Sequence, residues 1–231
     1  MKSRIPKVLH EIFGVSMLEH VVNTSKKIHP RDIIIVVGYK ARLVKSRMGP
    51  LFQYVEQKKQ LGTGHAVFQA EKKLKQKKGS VLILSGDVPF ITAGTLRRFM
   101  ATHNRQNADG SVLTALLKKP KHYGRIVRNK RGELKHIVEF KDAARPERNI
   151  KEINTGIYCF KIQKLFSALK SVKPHNQQGE YYLTDVVKIF IKDGHKMLAV
   201  RSKCSKEIEG INTREELKKL EKQKSQNRIK E

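Results

Sequence analysis

The stretch VLILSGDVPF, residues 81–90, decides the fold. Four consecutive apolar residues, Val81 to Leu84, read as a strand buried on both faces, and Ser85-Gly86-Asp87 then ends the apolar run. Pro89 stops the strand from continuing. Asp87 is thereby set at a strand's C-terminal end. That is the edge of an open α/β sheet where ligands bind, and a carboxylate there can hold a divalent cation against a phosphate. It can equally cap the helix that begins near Thr92, and the stretch alone leaves both roles open.

On either side, short apolar runs alternate with helical patterns. Met17, Leu18, Val21 and Val22 mark one face of a helix that ends before His29-Pro30. DIIIVVG (32–38) reads as a fully buried parallel strand, 41–48 as a helix, FQYVEQ (52–57) as a strand, and 64–74 and 94–104 as helices. This alternation predicts an α/β fold, a doubly wound and mostly parallel Rossmann-like sheet with right-handed crossovers. After SVLTALLKK (111–119) the pattern changes. GRIVRNKRGELKHIVEF (124–140) reads as two strands joined by an Arg-Gly turn, a β-rich insertion over the ligand edge. INTGIYCFKI (153–162) returns as a strand, helices follow over 164–172 and 183–193, and KMLAVRS (196–202) is the last strand. A helix is predicted from near Thr213, with a basic end expected to fray from about residue 223. No repeat or linker interrupts the pattern, so residues 1–231 are read as one domain.

Composition narrows the function classes. Lys plus Arg number 49 against 21 Asp plus Glu, a formal net charge of +28 that attracts polyanions and phosphorylated substrates. The lysines are spread along the chain without an RNA-binding aromatic signature, a zinc-finger or a basic-zipper pattern. A solvated basic surface is therefore expected, with nucleic acid bound only nonspecifically if at all. No apolar run is long enough for a membrane span, and MKSRIPK lacks the apolar core of a secretion signal, so a cytoplasmic protein is expected. Cys159 and Cys204 form no CxxC pair and read as ordinary thiols. The histidines show no ligand spacing such as HExxH.

Four further stretches could carry chemistry. In QLGTGHA (60–66) two glycines flank Thr63 before a helix, so backbone can approach a planar ligand closely; a plain glycine turn has the same signature. His65 reads as a packing residue at the helix start. RIPKVLH (4–10) places Lys7 after a fixed proline. HYGRIV with VEFKDA (122–127 and 138–143) sets Gly124 and Glu139 on paired strands, and INTG (153–156) and EGINTR (209–214) each end in a polar turn.

PKVLHEI, Q-x-x-QLGTGHA, LSGDVPFI, YGRI, IVEFKDA, EINTG, QGEYYLTD and EGINTR occur here in the order and spacing of one family. The chain resembles the N-terminal uridyltransferase (pyrophosphorylase) domain of the bacterial bifunctional N-acetylglucosamine-1-phosphate uridyltransferase/glucosamine-1-phosphate acetyltransferase, from about Ser3 to Leu220. The resemblance implies formation of UDP-N-acetylglucosamine and pyrophosphate from UTP and N-acetylglucosamine 1-phosphate, with Mg2+ as cofactor. Asp87 and Asn212 match the metal positions, and Lys7 matches a phosphate-contacting lysine. Gln57, Gly62 and Thr63 match the uridine-reading positions, while Gly124, Glu139 and Asn154 match those that bind the amino sugar. Lys7 and Asp87 are then the catalytic pair, and a homo-oligomer stays open.

Two departures follow from the same resemblance. The family begins with a strand and a glycine-rich loop, LAAGxGTRM, whose final methionine aligns with Met1. The chain as given is expected to be an N-terminally truncated piece with weak or no activity, because that loop wraps the nucleotide's phosphates. No hexapeptide-repeat β-helix follows Thr213, so no acetyltransferase activity is expected. Ser85 stands where the family often has a bulkier residue beside the sugar. A nucleotidyltransferase of other nucleotide or sugar preference, or a non-catalytic basic nucleotide- or RNA-binding protein on this fold, is the alternative.

Overall fold

Local signals in the sequence set the first elements. In the computed structural model, which describes residues 5–211 and 215–216, β1 (Glu11–Ile12) and β2 (Val15–Ser16) form a hairpin whose last residue caps α1 (Met17–Lys26). The Ser16 hydroxyl accepts from the Glu19 N–H at 3.2 Å and the Glu19 carboxylate accepts from the Ser16 N–H at 2.9 Å, a reciprocal cap. β3 (Ile34–Val37) pairs in parallel with β4 (Gln53–Glu56) across α2 (Ala41–Met48). The single helix predicted over 64–74 is two, α3 (Thr63–Phe68) and α4 (Glu71–Leu74). Tighter bonds from Gln69 N to Ala66 O (3.2 Å) and Ala70 N to Val67 O (3.0 Å) break it and turn Ala70 into the core.

The main sheet is built on one long strand. β5 (Ser80–Ile83) leads to α5 (Ala93–Arg105), β6 (Gly110–Leu116), β7 (Arg125–Arg128), β8 (Leu134–Val138), the short α6 (Arg145–Arg148) and then β9 (Glu152–Lys161). After β9 come α7 (Ile162–Ser171), α8 (Thr184–Lys192) and β10 (Met197–Arg201). The order is β10-β6-β9-β7-β8, with β5 also on β9. β6 runs along one edge of β9; β5 and β7 share the other, β5 opposite Tyr158 to Lys161 and β7 opposite Ile153. A notch is left between them at residues 154–157.

Helices cover both faces. Leu165, Phe166, Val187 and Phe190 of α7 and α8 pack on Tyr158 and Phe160, while Leu96 and Phe99 of α5 pack on Leu113, Ile157 and Cys159. This is the α/β architecture that the alternation predicts, but the sheet is mixed and not mostly parallel as expected. β3 with β4 and β10 with β6 are the parallel pairs among the described residues. β1–β2 and β7–β8 are antiparallel hairpins, and β9, returning from the second of them, runs opposite to both β5 and β6. Cys159 is buried and free, its thiol pushed up to about 12 by burial, and Cys204 is free as well.

Two strands are less buried than their apolar sequences predict. Val36 in β3 is 37% exposed, and Val81, Leu82, Ile83 and Leu84 are all only half-buried. β3 pairs only with β4, and β5 only with β9, so each has an edge without a strand partner among the described residues. An ion pair between Lys77 and Asp32 ties together the turns that enter the two strands. Asn212, Thr213 and the basic tail lie outside the described residues; Glu215 and Glu216 are helical. Among the described residues no helix is long and apolar enough to cross a membrane.

Candidate active site

The notch in β9 gathers three groups of the residues singled out above. Asn154 is not in a turn, as its sequence suggests, but inside β9 where the register with β6 shifts between Val112 and Thr114. Its Oδ1 accepts from the Gly156 N–H at 3.0 Å, and Gly156 adopts a φ of +76°. A Cβ at Gly156 would lie 2.9 Å from Ser85 Oγ, so glycine lets the bulge close on the turn that carries Asp87. On the other side, the Asn154 N–H donates to the Gly124 carbonyl at 2.9 Å. A Cβ at Gly124 would stand 3.2 Å from Glu139 Oε2 and 3.4 Å from Asn154 Cβ. Gly124, Glu139 and Asn154 thus converge.

Asp87 meets Lys7 across 80 residues of sequence: Nζ lies 2.5 Å from Oδ2, with the side chains 30% and 27% exposed. Lys7 is presented by a single 3-10 turn, Lys7–Leu9, that follows Pro6. Asp87 sits in the turn beyond β5 and does not cap α5, whose cap is the Thr92 hydroxyl accepting from the Thr95 N–H at 3.2 Å. Its main-chain carbonyl accepts from the Ile211 N–H at 3.0 Å, and the Gly210 N–H donates to the Tyr123 hydroxyl at 2.8 Å. With Ile208 and Ile211 fully buried, the segment leading to Asn212 is pinned beside Asp87.

The third group joins stretches 120 residues apart. The Thr63 hydroxyl accepts from the Leu183 N–H at 3.0 Å, and the Tyr181 carbonyl accepts from the Gly64 N–H at 2.7 Å. Gly62 has a φ of +105°, and a Cβ there would lie 2.7 Å from the Tyr181 carbonyl oxygen, so no other residue fits. Gln57 is 8% exposed and its Nε2 donates to the Gly62 carbonyl at 3.0 Å. The next residue after Leu183, Thr184, donates from its hydroxyl to Glu139 at 3.3 Å. Contacts therefore run without a break from Gln57 through Thr184, Glu139, Asn154 and Ser85 to the Asp87 turn.

Residues that sequence reasoning gave no role hold this frame. Tyr123 anchors Gly210, Thr184 bridges two of the groups, and the buried Tyr158 hydroxyl lies against the Asn154 side chain. Arg125 is 2% exposed and pairs with no carboxylate among the described residues; its guanidinium donates to the carbonyls of Lys121 (2.9 Å), Tyr123 and Arg148, holding the loop that presents Gly124. QGEYYLTD and YGRI were the signals, but sequence alone could not say which of their side chains face inward.

Burial pushes the Glu139 carboxyl above the ordinary carboxylate range, and nearby Asp142, Asp185 and Glu180 push the same way against the Thr184 hydroxyl. Burial also raises Asp185. Since the folded state prefers protonated Glu139, its contribution to stability is full below the unfolded value, about 4.3, and is lost as pH rises through the raised folded value. Glu139→Gln is therefore expected to melt higher than the parent at pH 7, with the gain fading below about pH 4. Melts over that range check it; a lower midpoint at pH 7 would contradict the burial argument.

A family model for nucleotidyl transferases matches residues 2–205. The chain belongs to the nucleotidyl transferase family. Among curated relatives it is similar to the bifunctional protein GlmU of Acetivibrio thermocellus, 48% identical over 217 residues, which are 94% of this chain and 47% of that protein. GlmU of Brevibacillus brevis is 46% identical over 221 residues, 96% of this chain and 48% of that protein. The chain thus spans about half the length of these relatives. A solved structure of UDP-glucose pyrophosphorylase complexed with UDP-glucose shares the fold, with a TM-score of 0.75 over 96% of this chain and 91% of that one, at 17% identity. The family and the fold expected from the motifs are borne out.

Proposed function

We propose that this nucleotidyltransferase joins UTP and N-acetylglucosamine 1-phosphate to form UDP-N-acetylglucosamine and pyrophosphate. The carrying observation is that Lys7 and Asp87 meet beside the notch where Gly124, Glu139 and Asn154 converge. GlmU relatives at 42 to 48% identity support the same activity.

In this reading an oxygen of the sugar phosphate attacks the α-phosphorus of UTP, and pyrophosphate leaves. No side chain need act as a base, because the attacking oxygen is already ionised. Gln57, Gly62 and Thr63 seat the uridine; Gly124, Glu139 and Asn154 hold the amino sugar; alignment and electrostatics do the rest. The Lys7 ammonium, a compact point charge, stabilises negative charge growing on the phosphates.

The donor set suits Mg2+. Asp87 offers a hard carboxylate oxygen that is partly open, and Mg2+ is commonly held by one or two carboxylates together with substrate phosphates and water. Asp87 and Asn212 are the residues that would hold it. When bound, the ion neutralises charge on the transferring phosphate. Until then Lys7 balances the Asp87 carboxylate. A cytoplasmic location fits these substrates.

The net charge of +28 favours one other reading, a polyanion-binding protein. Titrating UTP and a single-stranded RNA between about 50 and 200 mM salt separates the two. RNA held by six to ten phosphate contacts should lose roughly 10³ to 10⁵ in affinity by counterion release. UTP, read at its base by neutral hydrogen bonds, should lose far less. Sequence-selective RNA binding that survives the higher salt, with no UTP binding, would sink the enzyme reading.

A further inference from the structure

We infer that His65, together with the Gly62 carbonyl, fixes which way round the Gln57 amide faces, and that this pair of bonds makes the base site select uracil over cytosine; the selectivity rests on the uridine reading above. Gln57 ends β4. Its N–H donates to the Val37 carbonyl at 2.7 Å and its carbonyl accepts from Gln60 Nε2 at 2.9 Å, so the backbone cannot swivel. The side-chain amide lies 3.0 Å from the Gly62 carbonyl oxygen, which can only accept, so the amide nitrogen is the atom that faces it. The same nitrogen lies 3.0 Å from His65 Nδ1. Its two hydrogens are thus used by Gly62 and His65, and His65 Nδ1 must be the bare, accepting nitrogen.

A second amide competes for the ring. Gln69 Nε2 lies 3.1 Å from His65 Nε2, and a neutral imidazole has one in-plane lone pair to offer. Gln69 is half-exposed and also donates to the His65 carbonyl at 3.0 Å, whereas Gln57 is 8% exposed. An unpaired donor costs most where water cannot reach it, so the lone pair goes to Gln57 and the ring proton sits on Nε2.

With both hydrogens engaged, Gln57 is left with Oε1, an acceptor, to offer a ligand. Uracil presents an N–H at N3, whereas cytosine presents a bare nitrogen at the same place. An acceptor fixed by Gly62 and His65 pairs with the first and opposes the second, which is discrimination by an unpaired polar contact. His65 is a positioning residue: it touches the reader and not the base.

Two measurements on the full chain test this. Long-range proton–nitrogen NMR of the free protein should show His65 protonated at Nε2; protonation at Nδ1 would overturn the bond without reference to any ligand. UTP and CTP affinities are then compared for the parent, His65→Asn and His65→Leu, with melts to verify folding. The parent should favour UTP by about tenfold or more, the worth of one buried polar mismatch. His65→Asn, whose Oδ1 can accept where Nδ1 does, should keep that ratio, and His65→Leu, which leaves the Gly62 bond alone to hold the amide, should lower it by about threefold or more. A ratio unchanged in His65→Leu, or lost equally in both variants, would overturn the inference. A parent that binds neither nucleotide even when it carries the family's glycine-rich segment ahead of Met1 would refute the uridine reading and the selectivity with it, while the NMR result still judges the His65–Gln57 bond.

Discussion

Asp87→Asn should slow pyrophosphate release from UTP and N-acetylglucosamine 1-phosphate by at least about 100-fold, in a version of the chain that carries the family's glycine-rich segment ahead of Met1. One well-placed group acting on developing charge is typically worth about 3 kcal/mol. Asparagine keeps the size and one oxygen of the side chain but removes the charge that would draw Mg2+ and that Lys7 balances at 2.5 Å. Metal-free UTP binding should change little, because Gln57, Gly62 and Thr63, the residues proposed to seat the uridine, lie at the far end of the chain of contacts. Folding should survive as well. Asp87 engages Ile211 through its main chain, and the cap of α5 is Thr92. A rate within about tenfold of the parent would remove Asp87 from the proposed metal site. Loss of folding would show that its carboxylate is structural.

The strands were legible in the sequence wherever apolar runs and turn residues coincided. β3, β4 and the β7–β8 hairpin fall where the runs and the Arg-Gly turn put them. What the sequence could not show was pairing. The period of VLIL says "strand" but not which way its neighbour runs, and β9, more than 70 residues later, proved to be antiparallel to it. Helix division was hidden for a similar reason, since the break at Ala70 depends on the core that Ala70 enters.

The site was legible by resemblance more than by chemistry. Lys7 is one of many lysines, and nothing in RIPKVLH announces that its ammonium meets Asp87. The same holds for Gly156, whose need for glycine comes from Ser85, and for Thr184, whose hydroxyl reaches Glu139. Each of these contacts joins separate stretches, so none has a local signature. Tyr123 and Arg125 are subtler still. Their work is to hold backbone, Gly210 for one and residues 121 to 123 for the other, and backbone-holding side chains leave no pattern in a single sequence.

Placing an LAAGxGTR segment ahead of Met1 should have the largest effect of all, on activity and on stability together. β3 and β5 each have an edge without a strand partner among the described residues, and both expose apolar side chains that a buried strand would hide. The Lys77–Asp32 pair holds the starts of these strands together, so an extended apolar segment running alongside them would complete both. Burying three or four apolar side chains at about 1.5 to 3 kcal/mol each contributes roughly 5 to 12 kcal/mol before ordering costs, comparable with the whole stability of a domain. The glycine-rich turn after such a strand would bring backbone N–H groups to the nucleotide's phosphates near Lys7 and Asp87. Loss of even one such donor commonly costs 10² to 10³ in rate, so the extended chain should release pyrophosphate at least about 100-fold faster. Its urea midpoint should rise as well. Pyrophosphate release and urea unfolding, measured side by side for the chain with and without the segment, decide the matter. Equal and substantial rates would mean that the phosphates bind elsewhere, and an unchanged midpoint would mean that the open edges of β3 and β5 take no strand.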